Sequence, residues 1–379
     1  MKFVQIKSTK IANMIIFYIF APSKVRIENK TLVRSMKSRL WWIVVLVTMV
    51  MMVGCQPNEG ITIRSVYYWR HDVTFSDGER SYLRDHQISS IYLHLFDIVR
   101  DRGELQPSVT TRFRDSIPSG IEVIPVVFLN HDIMRDTAGL ESLPERLTRR
   151  VVQMMEKNGQ PRPRELQVDF DWTRSNEVRY FAFLQSLRAH LQREGIGRLS
   201  ATIRLHQLAM AAPPVDYGAL MVYNIGNYAD VTERCSILTP HNLEPYLRYL
   251  KDYPLSLSTA LPIYQWDLLF HRGTHFECIV RGVDIRDTVL YEQIDDTHFR
   301  SVSYQAIPTD GISMRGEGRI LPGDVIRHEW VPAAVLDSVR SMLESSRPSV
   351  CRQIILYHLD DKQINQYSYE EIQKIYTGR

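Results

Sequence analysis

The stretch Leu166–Thr173 reads LQVDFDWT. Leu166, Val168, Phe170 and Trp172 alternate with Gln167, Asp169, Asp171 and Thr173, which is the period-2 signature of a β-strand with two unlike faces. An apolar face needs a layer of side chains packed against it. A face carrying two carboxylates needs a polar interior or solvent. In a closed barrel of parallel strands the apolar face meets an outer helix layer, and the polar face points into the barrel and towards its C-terminal mouth. Two carboxylates this close repel each other, so one resists ionisation unless a cation lies between them. Such a pair suits acid–base chemistry or the holding of a polar substrate.

Seven more runs of strand length surround this one: ITIRSVYYW (61–69), ISSIYLHLFDI (88–98), IEVIPVVFLN (121–130), RLSATIRLHQL (198–208), GALMVYNIG (218–226), LSLSTALPIYQW (255–266) and QIILYHLD (353–360). Helical spacing fills most of the gaps, at Asp77–His86, Leu143–Asn158, Glu177–Glu194, His241–Asp252 and Ser368–Thr377. Eight strands alternating with helices predict an α/β fold, a (β/α)8 TIM barrel over residues 61–379. No glycine-rich phosphate loop follows the first strand, which disfavours an open nucleotide-binding sheet. Residues 271–350 break the rhythm with FECIVRGVDI, a hairpin-like YEQIDDTHFRSVSYQAI and RILPGDVIRHEW. They predict a β-rich insertion over 271–330, between strands 7 and 8, followed by the helix PAAVLDSVRSMLES.

The net charge of +3 and the absence of a long basic run exclude nucleic acid as an expected partner. Residues 40–53 read LWWIVVLVTMVMMV, preceded by Lys37 and Arg39 and followed by Gly54-Cys55. The run is shorter than the ~20 residues of a spanning helix and reads as a signal peptide. MVGC resembles a lipoprotein cleavage box, which makes Cys55 the expected site of lipidation. Residues 36–54 are then the signal peptide and 55–60 a linker. Residues 1–35 precede the charged region a signal peptide begins with, so translation is expected to start at Met36; the alternative is a cytoplasmic extension before an uncleaved anchor. The expected location is the cell envelope, lipid-anchored to a bacterial membrane and preferentially the outer one. Cys235, Cys278 and Cys351 show no CxxC or Cys/His ligand spacing.

The fourth strand resembles that of family 18 glycoside hydrolases, the chitinase-like barrels, whose pattern is DxxDxDxE. Asp169 and Asp171 match its second and third acids. Leu166 stands at the first, and Thr173 stands where the family has its catalytic Glu. MVYN (221–224) resembles the family's M-x-Y-D/N, whose Tyr hydroxyl contacts the substrate's N-acetyl group, and ALPIYQW (260–266) resembles its seventh strand. YLHLFDI (92–98) is similar to a strand of uncharacterised lipoproteins of Bacteroides-type bacteria, a likeness that implies no function. The family resemblance implies a barrel acting on or binding a glycan or oligosaccharide. A threonine hydroxyl cannot protonate a glycosidic oxygen, so three options stay open. Asp169 or Asp171 is the acid; Glu177 swings in; or the barrel binds a glycan without cleaving it.

Asp169 and Asp171 are thus the candidate catalytic residues. Tyr68, Asp97, His206, Tyr223, Asn224, Tyr264, Trp266 and His358, near the ends of the other strands, are candidate substrate-binding residues, with Tyr264 and Trp266 as a sugar-stacking platform. Strand 5 also offers Arg204. A metal site from His94, His206, Asp169 and Asp171 is the weaker reading, because no His-x-His or HExxH supports it. No metal or cofactor is expected, and the chain is expected to be a monomer. A non-catalytic glycan-binding or envelope-assembly lipoprotein is the competing function.

Overall fold

The computed structural model describes residues 62–307 and 318–379, together with the backbone of the short strand Ile312–Ser313. The leader, the linker and Cys55 lie outside the described residues. Among the described residues no helix is long and apolar enough to cross a membrane.

Eight parallel strands close into a barrel: β1 Ile63–Tyr68, β2 Ser90–Asp101, β3 Glu122–Leu129, β4 Glu165–Asp169, β5 Arg198–Arg204, β6 Tyr217–Met221, β7 Leu257–Pro262 and β8 Gln353–Tyr357. Each pairs with its neighbours in sequence, and β1 pairs with both β2 and β8, which shuts the ring. Each strand overlaps one of the eight apolar runs, and β2 runs on past its run to Asp101.

Leu166, Val168, Phe170 and Trp172 join the large core between strands and helices. Gln167 faces inward, where its Oε1 accepts a 2.7 Å hydrogen bond from the Tyr67 hydroxyl. Tyr67 belongs to a separate small cluster with Tyr92, Val126, Ala219, Ala260 and Ile355, which fills the middle of the barrel.

The outer layer is incomplete. Helices α1 Asp77–Asp85, α2 Leu143–Lys157, α3 Glu177–Arg193, α4 Pro240–Leu250 and α5 Ala333–Ser346 follow β1, β3, β4, β6 and the insertion. After β2 the chain folds back as an antiparallel strand, Glu104–Ser108, and after β5 it makes only a 3-10 turn, Leu205–Ala209. In α2 the buried positions Leu147, Val151 and Met155 recur every four residues, and the helix stops where Gly159 takes a φ of +66°. Two short helices, α6 Asp361–Ile364 and α7 Tyr369–Thr377, close the chain.

α7 and α1 clasp His86. Its Nδ1 accepts from Gln373 at 3.0 Å, its ring stacks on Tyr369, and Arg64 donates to its carbonyl at 3.0 Å. Burial, reinforced by the Arg64 charge, pushes the imidazole down to about 4. The unfolded ring takes its proton near pH 6.5, so between about 6.5 and about 4 the unfolded chain binds more protons. Stability is therefore expected to fall as pH drops through that window, by up to about 3 kcal/mol from this one group. Urea midpoints at pH 7 and pH 4.5 measure the drop. A His86→Gln variant with an equal drop removes His86 as a cause.

The insertion is a six-stranded sheet running Tyr291–Gln293, His298–Ser301, Val325–Glu329, Trp266–His271, His275–Val280 and Ile312–Ser313 in spatial order. It begins at Trp266, not at 271. The run to 266 reads as one strand because its apolar residues continue past Pro262. In space β7 ends at Pro262, and Trp266 crosses to pair with Glu329.

Arg327 and Glu329 are fully buried and bonded at 2.6 Å. Glu329 also accepts from the Ser236 backbone at 2.7 Å, the Ser236 hydroxyl, the Ile237 backbone at 3.2 Å and the Trp266 indole at 2.9 Å. Arg327 donates to the carbonyls of Asp230 and, at 3.1 Å, Tyr228. This pair fastens the insertion to the segment that follows β6.

Candidate functional site

Asp169, the last residue of β4, lies inside the barrel at its C-terminal end and is 4% exposed. It accepts from the Thr202 hydroxyl at 2.6 Å and from Arg204 Nη2 at 2.9 Å, both groups projecting from β5. The cation that the two carboxylates call for is therefore supplied by the neighbouring strand. Burial works against the Arg204 charge, but Asp169, Tyr223 and Asp171 together hold its guanidinium well above the usual range.

Asp171 is past the end of the strand, and its side chain is 56% exposed. It accepts from Gln207 Nε2 at 3.2 Å, and His206 Nε2 stands 3.5 Å from its Oδ1. Gln207 also donates to the Trp172 carbonyl at 2.9 Å and accepts from the Arg204 backbone at 2.7 Å. The 3-10 turn after β5 thus sets the direction of Asp171. Asp171, Arg204, His206, Tyr223, Asn224 and Tyr246 surround a hollow of about 300 Å³.

An aromatic floor adjoins this hollow. Tyr223 stacks on Tyr357 with ring centres 5.1 Å apart, and Trp69 stands 6.1 Å from Tyr357 and 4.7 Å from His94. His94 bonds Asp97 at 2.7 Å, which ties Asp97 to the same floor. The Tyr264 hydroxyl donates to Asn224 Oδ1. Asn224 takes a φ of +55°, a left-handed conformation that asparagine tolerates better than most residues. The Tyr223 hydroxyl is buried without a hydrogen bond among the described residues, and burial with Tyr357 and Tyr67 nearby holds it well above the usual phenol range.

Asp171, His206, Tyr223 and Asn224 therefore converge, with Tyr264 behind Asn224 and Asp97 reached through His94. Three expected members do not join them. Tyr68 faces the helix layer, fully buried, its hydroxyl bonded to the Thr74 backbone at 2.7 Å. In the run VYYW neither face is polar, so alternation alone left open which tyrosine points inward. It is Tyr67, and the parity then turns Trp69 to the mouth. Trp266 is tied into the insertion joint through Glu329 and is no open stacking platform. His358 lies aside from the hollow; burial pushes its ring down to about 4, partly opposed by Asp360.

Trp69, Tyr357, Tyr246 and Gln207 also belong to this group, and no polar interruption of an apolar strand marks them in the sequence. Only β4 has an unambiguous parity from which the neighbours can be phased. Thr173 is an exposed turn residue whose backbone N–H donates to Asn176 Oδ1 at 2.8 Å, and Glu177 opens α3. Among the described residues no group of three or more His, Cys, Asp or Glu is placed to hold a metal ion. Cys235, Cys278 and Cys351 are free thiols.

No family model matches the chain, and no curated protein matches it. Among solved structures, a chitinase from Chromobacterium violaceum is 14% identical, with 83% of this chain and 98% of that one covered and a TM-score of 0.47. A chitinase from Bacteroides thetaiotaomicron is 10% identical over 83% and 96%, with a TM-score of 0.47. The spore cortex-lytic enzyme SleL of Bacillus cereus is 16% identical over 83% and 73%, also with a TM-score of 0.47. The closed eight-stranded ring itself establishes the class as a (β/α)8 barrel. Its similarity to chitinase structures is one of overall course; what the mouth can do depends on this chain's own residues.

Proposed function

We propose that this chain is a lipid-anchored cell-envelope protein that binds a glycan at its barrel mouth, on a hydrolase-type scaffold and without the substrate-assisted chemistry of chitinase-like enzymes. One observation carries the reading. The inner carboxylate, Asp169, is neutralised by Arg204, while Asp171, His206 and Asn224 present polar groups around a hollow beside stacked tyrosines. Aromatic faces take the C–H side of a sugar ring, and a few placed polar groups fix its hydroxyls. The position of the family's proton donor holds Thr173, whose hydroxyl lies 2.8 Å from the Ser175 hydroxyl in the loop before α3. The run 40–53 followed by Gly54-Cys55 supports the anchor.

Hydrolysis is the second reading, because among the described residues Asp171 is the one acid that lines the hollow, with His206 within reach. Residues 56–379, titrated with defined bacterial and host oligosaccharides, test both. Saturable binding without product after long incubation is expected. Asp171→Asn is expected to weaken it roughly tenfold, as loss of a charged hydrogen-bond partner does. Unchanged affinity in that variant would remove the mouth as the binding site. Released sugar, lost in the same variant, would establish cleavage. Metabolic labelling of the full chain with palmitate checks the anchor, and no incorporation would refute it.

A further inference from the structure

The opposite end of the barrel is built unlike an ordinary one. Barrel interiors are layered with branched apolar side chains. Here the inward positions near the strand starts include Ser65, Ser90, Ser200 and Ser258, all buried. Serine is too small to fill such a layer, and a bowl of about 650 Å³ opens there. That volume lies within the range of about 300–1,000 Å³ typical of small-molecule sites.

Glu165, the first residue of β4, lines this bowl and is 1% exposed. Its Oε1 accepts from the Ser200 hydroxyl at 2.6 Å. Among the described residues no hydrogen bond reaches its Oε2, whose ion-pair partner Arg198 Nε stands 3.6 Å away. Burial pushes the Glu165 carboxyl up, while Ser200, Tyr217 and Arg198 pull it the other way. A buried carboxylate oxygen without a hydrogen bond is costly, and nothing at the mouth requires one here. Beside it the hydroxyls of Tyr92 and Tyr217 lie 3.3 Å apart, and Gln353 Nε2 donates to Tyr92 at 3.1 Å.

The charges around the bowl balance. Glu122, Glu165 and Asp216 line it with Arg198 and Arg352, and Arg188 bonds Asp216 at 2.7 Å. Three acids thus face three guanidinium groups, which favours a neutral ligand over an ion. Ile124 and Leu257 add an apolar wall. Hydroxyls, a carboxylate and an apolar wall together match a ring with hydroxyls at its rim and C–H groups on its face.

We propose that the N-terminal end of the barrel is a second binding site, for a neutral polyhydroxylated molecule of monosaccharide size. Hydroxyls of that molecule bond the Tyr217 hydroxyl and the Arg198 guanidinium at the wall of the bowl, in front of the Glu165 carboxylate.

The full chain, in a detergent without a sugar headgroup, is titrated with D-glucose, N-acetyl-D-glucosamine and myo-inositol by saturation-transfer NMR and calorimetry. Saturable binding of at least one is expected. Glu165→Gln keeps the size but loses the charge that orients Arg198, and is expected to weaken binding roughly tenfold. Ser258→Val refills the layer and is expected to abolish it, while oligosaccharide affinity at the mouth stays unchanged. Melting curves without sugar show that both variants are folded; should one fail to fold, the other decides. No saturation with any of the three probes, or equal affinity in a folded variant, overturns the proposal and leaves the bowl a water-filled structural feature.

Discussion

Replacing Glu329 with alanine is expected to lower the free energy of unfolding by about 3–5 kcal/mol, the cost of removing one partner from a buried ion pair. Both Arg327 and Glu329 are fully excluded from solvent. Glu329 gathers donors from three separate stretches: Arg327 on its own strand, Trp266 on the neighbouring strand, and Ser236 with Ile237 after β6. Truncation would leave the guanidinium buried among carbonyl oxygens, with its charge unanswered, and would orphan a backbone N–H at Ser236. Glu329→Gln keeps the size and most acceptor capacity, so it is expected to cost less. Urea unfolding of both variants measures the difference. A loss below about 1 kcal/mol in the alanine variant would show that water takes the place of the carboxylate and that the joint is not dry. Limited proteolysis of the region 266–329 should sharpen in the same variant.

At the mouth, Arg204→Ala is expected to cost about 3–5 kcal/mol as well, for a related reason. Asp169 has a 5% exposed side chain, and among the described residues the guanidinium at 2.9 Å is the only cation bonded to it. Without Arg204 the Thr202 hydroxyl alone, among the described residues, remains on that carboxylate. The variant also opens the wall of the hollow and frees the charge near Asp171, so oligosaccharide binding should be lost together with stability. A double replacement, Asp169→Leu with Arg204→Met, separates the two effects. Exchanging a buried pair for apolar groups of similar volume is often neutral or stabilising. The double variant is therefore expected to regain most of the stability and still fail to bind. Recovered binding would show that the pair is a structural brace with no bearing on the ligand.

The fold was readable because it depends on periodicities. Eight runs of strand length, and helices at Leu143–Lys157 and Glu177–Arg193, carry patterns that any strand or amphipathic helix must carry to bury one face. The site was readable only where a polar residue interrupts an apolar strand. Asp169 is such an interruption, and its inward direction followed from Leu166 and Val168. Tyr68 is the opposite case. It sits among aromatic residues on both sides, so its parity rested on a partner a hundred residues away, Gln167 bonding Tyr67. Trp266 failed for another reason: the strand it continues in sequence is not the strand it joins in space.

The amino-acid sequence by itself determined the ring of eight strands, the presence of an inserted sheet, and two carboxylates at the end of the fourth strand, because local burial patterns demand them. Only the tertiary structure decided that those carboxylates differ in kind. Arg204 arrives from the next strand and cancels the inner one, and the turn carrying His206 and Gln207 holds the outer one at the edge of a hollow. Charge pairing of this sort depends on distances between strands, and no spacing along a single strand encodes them.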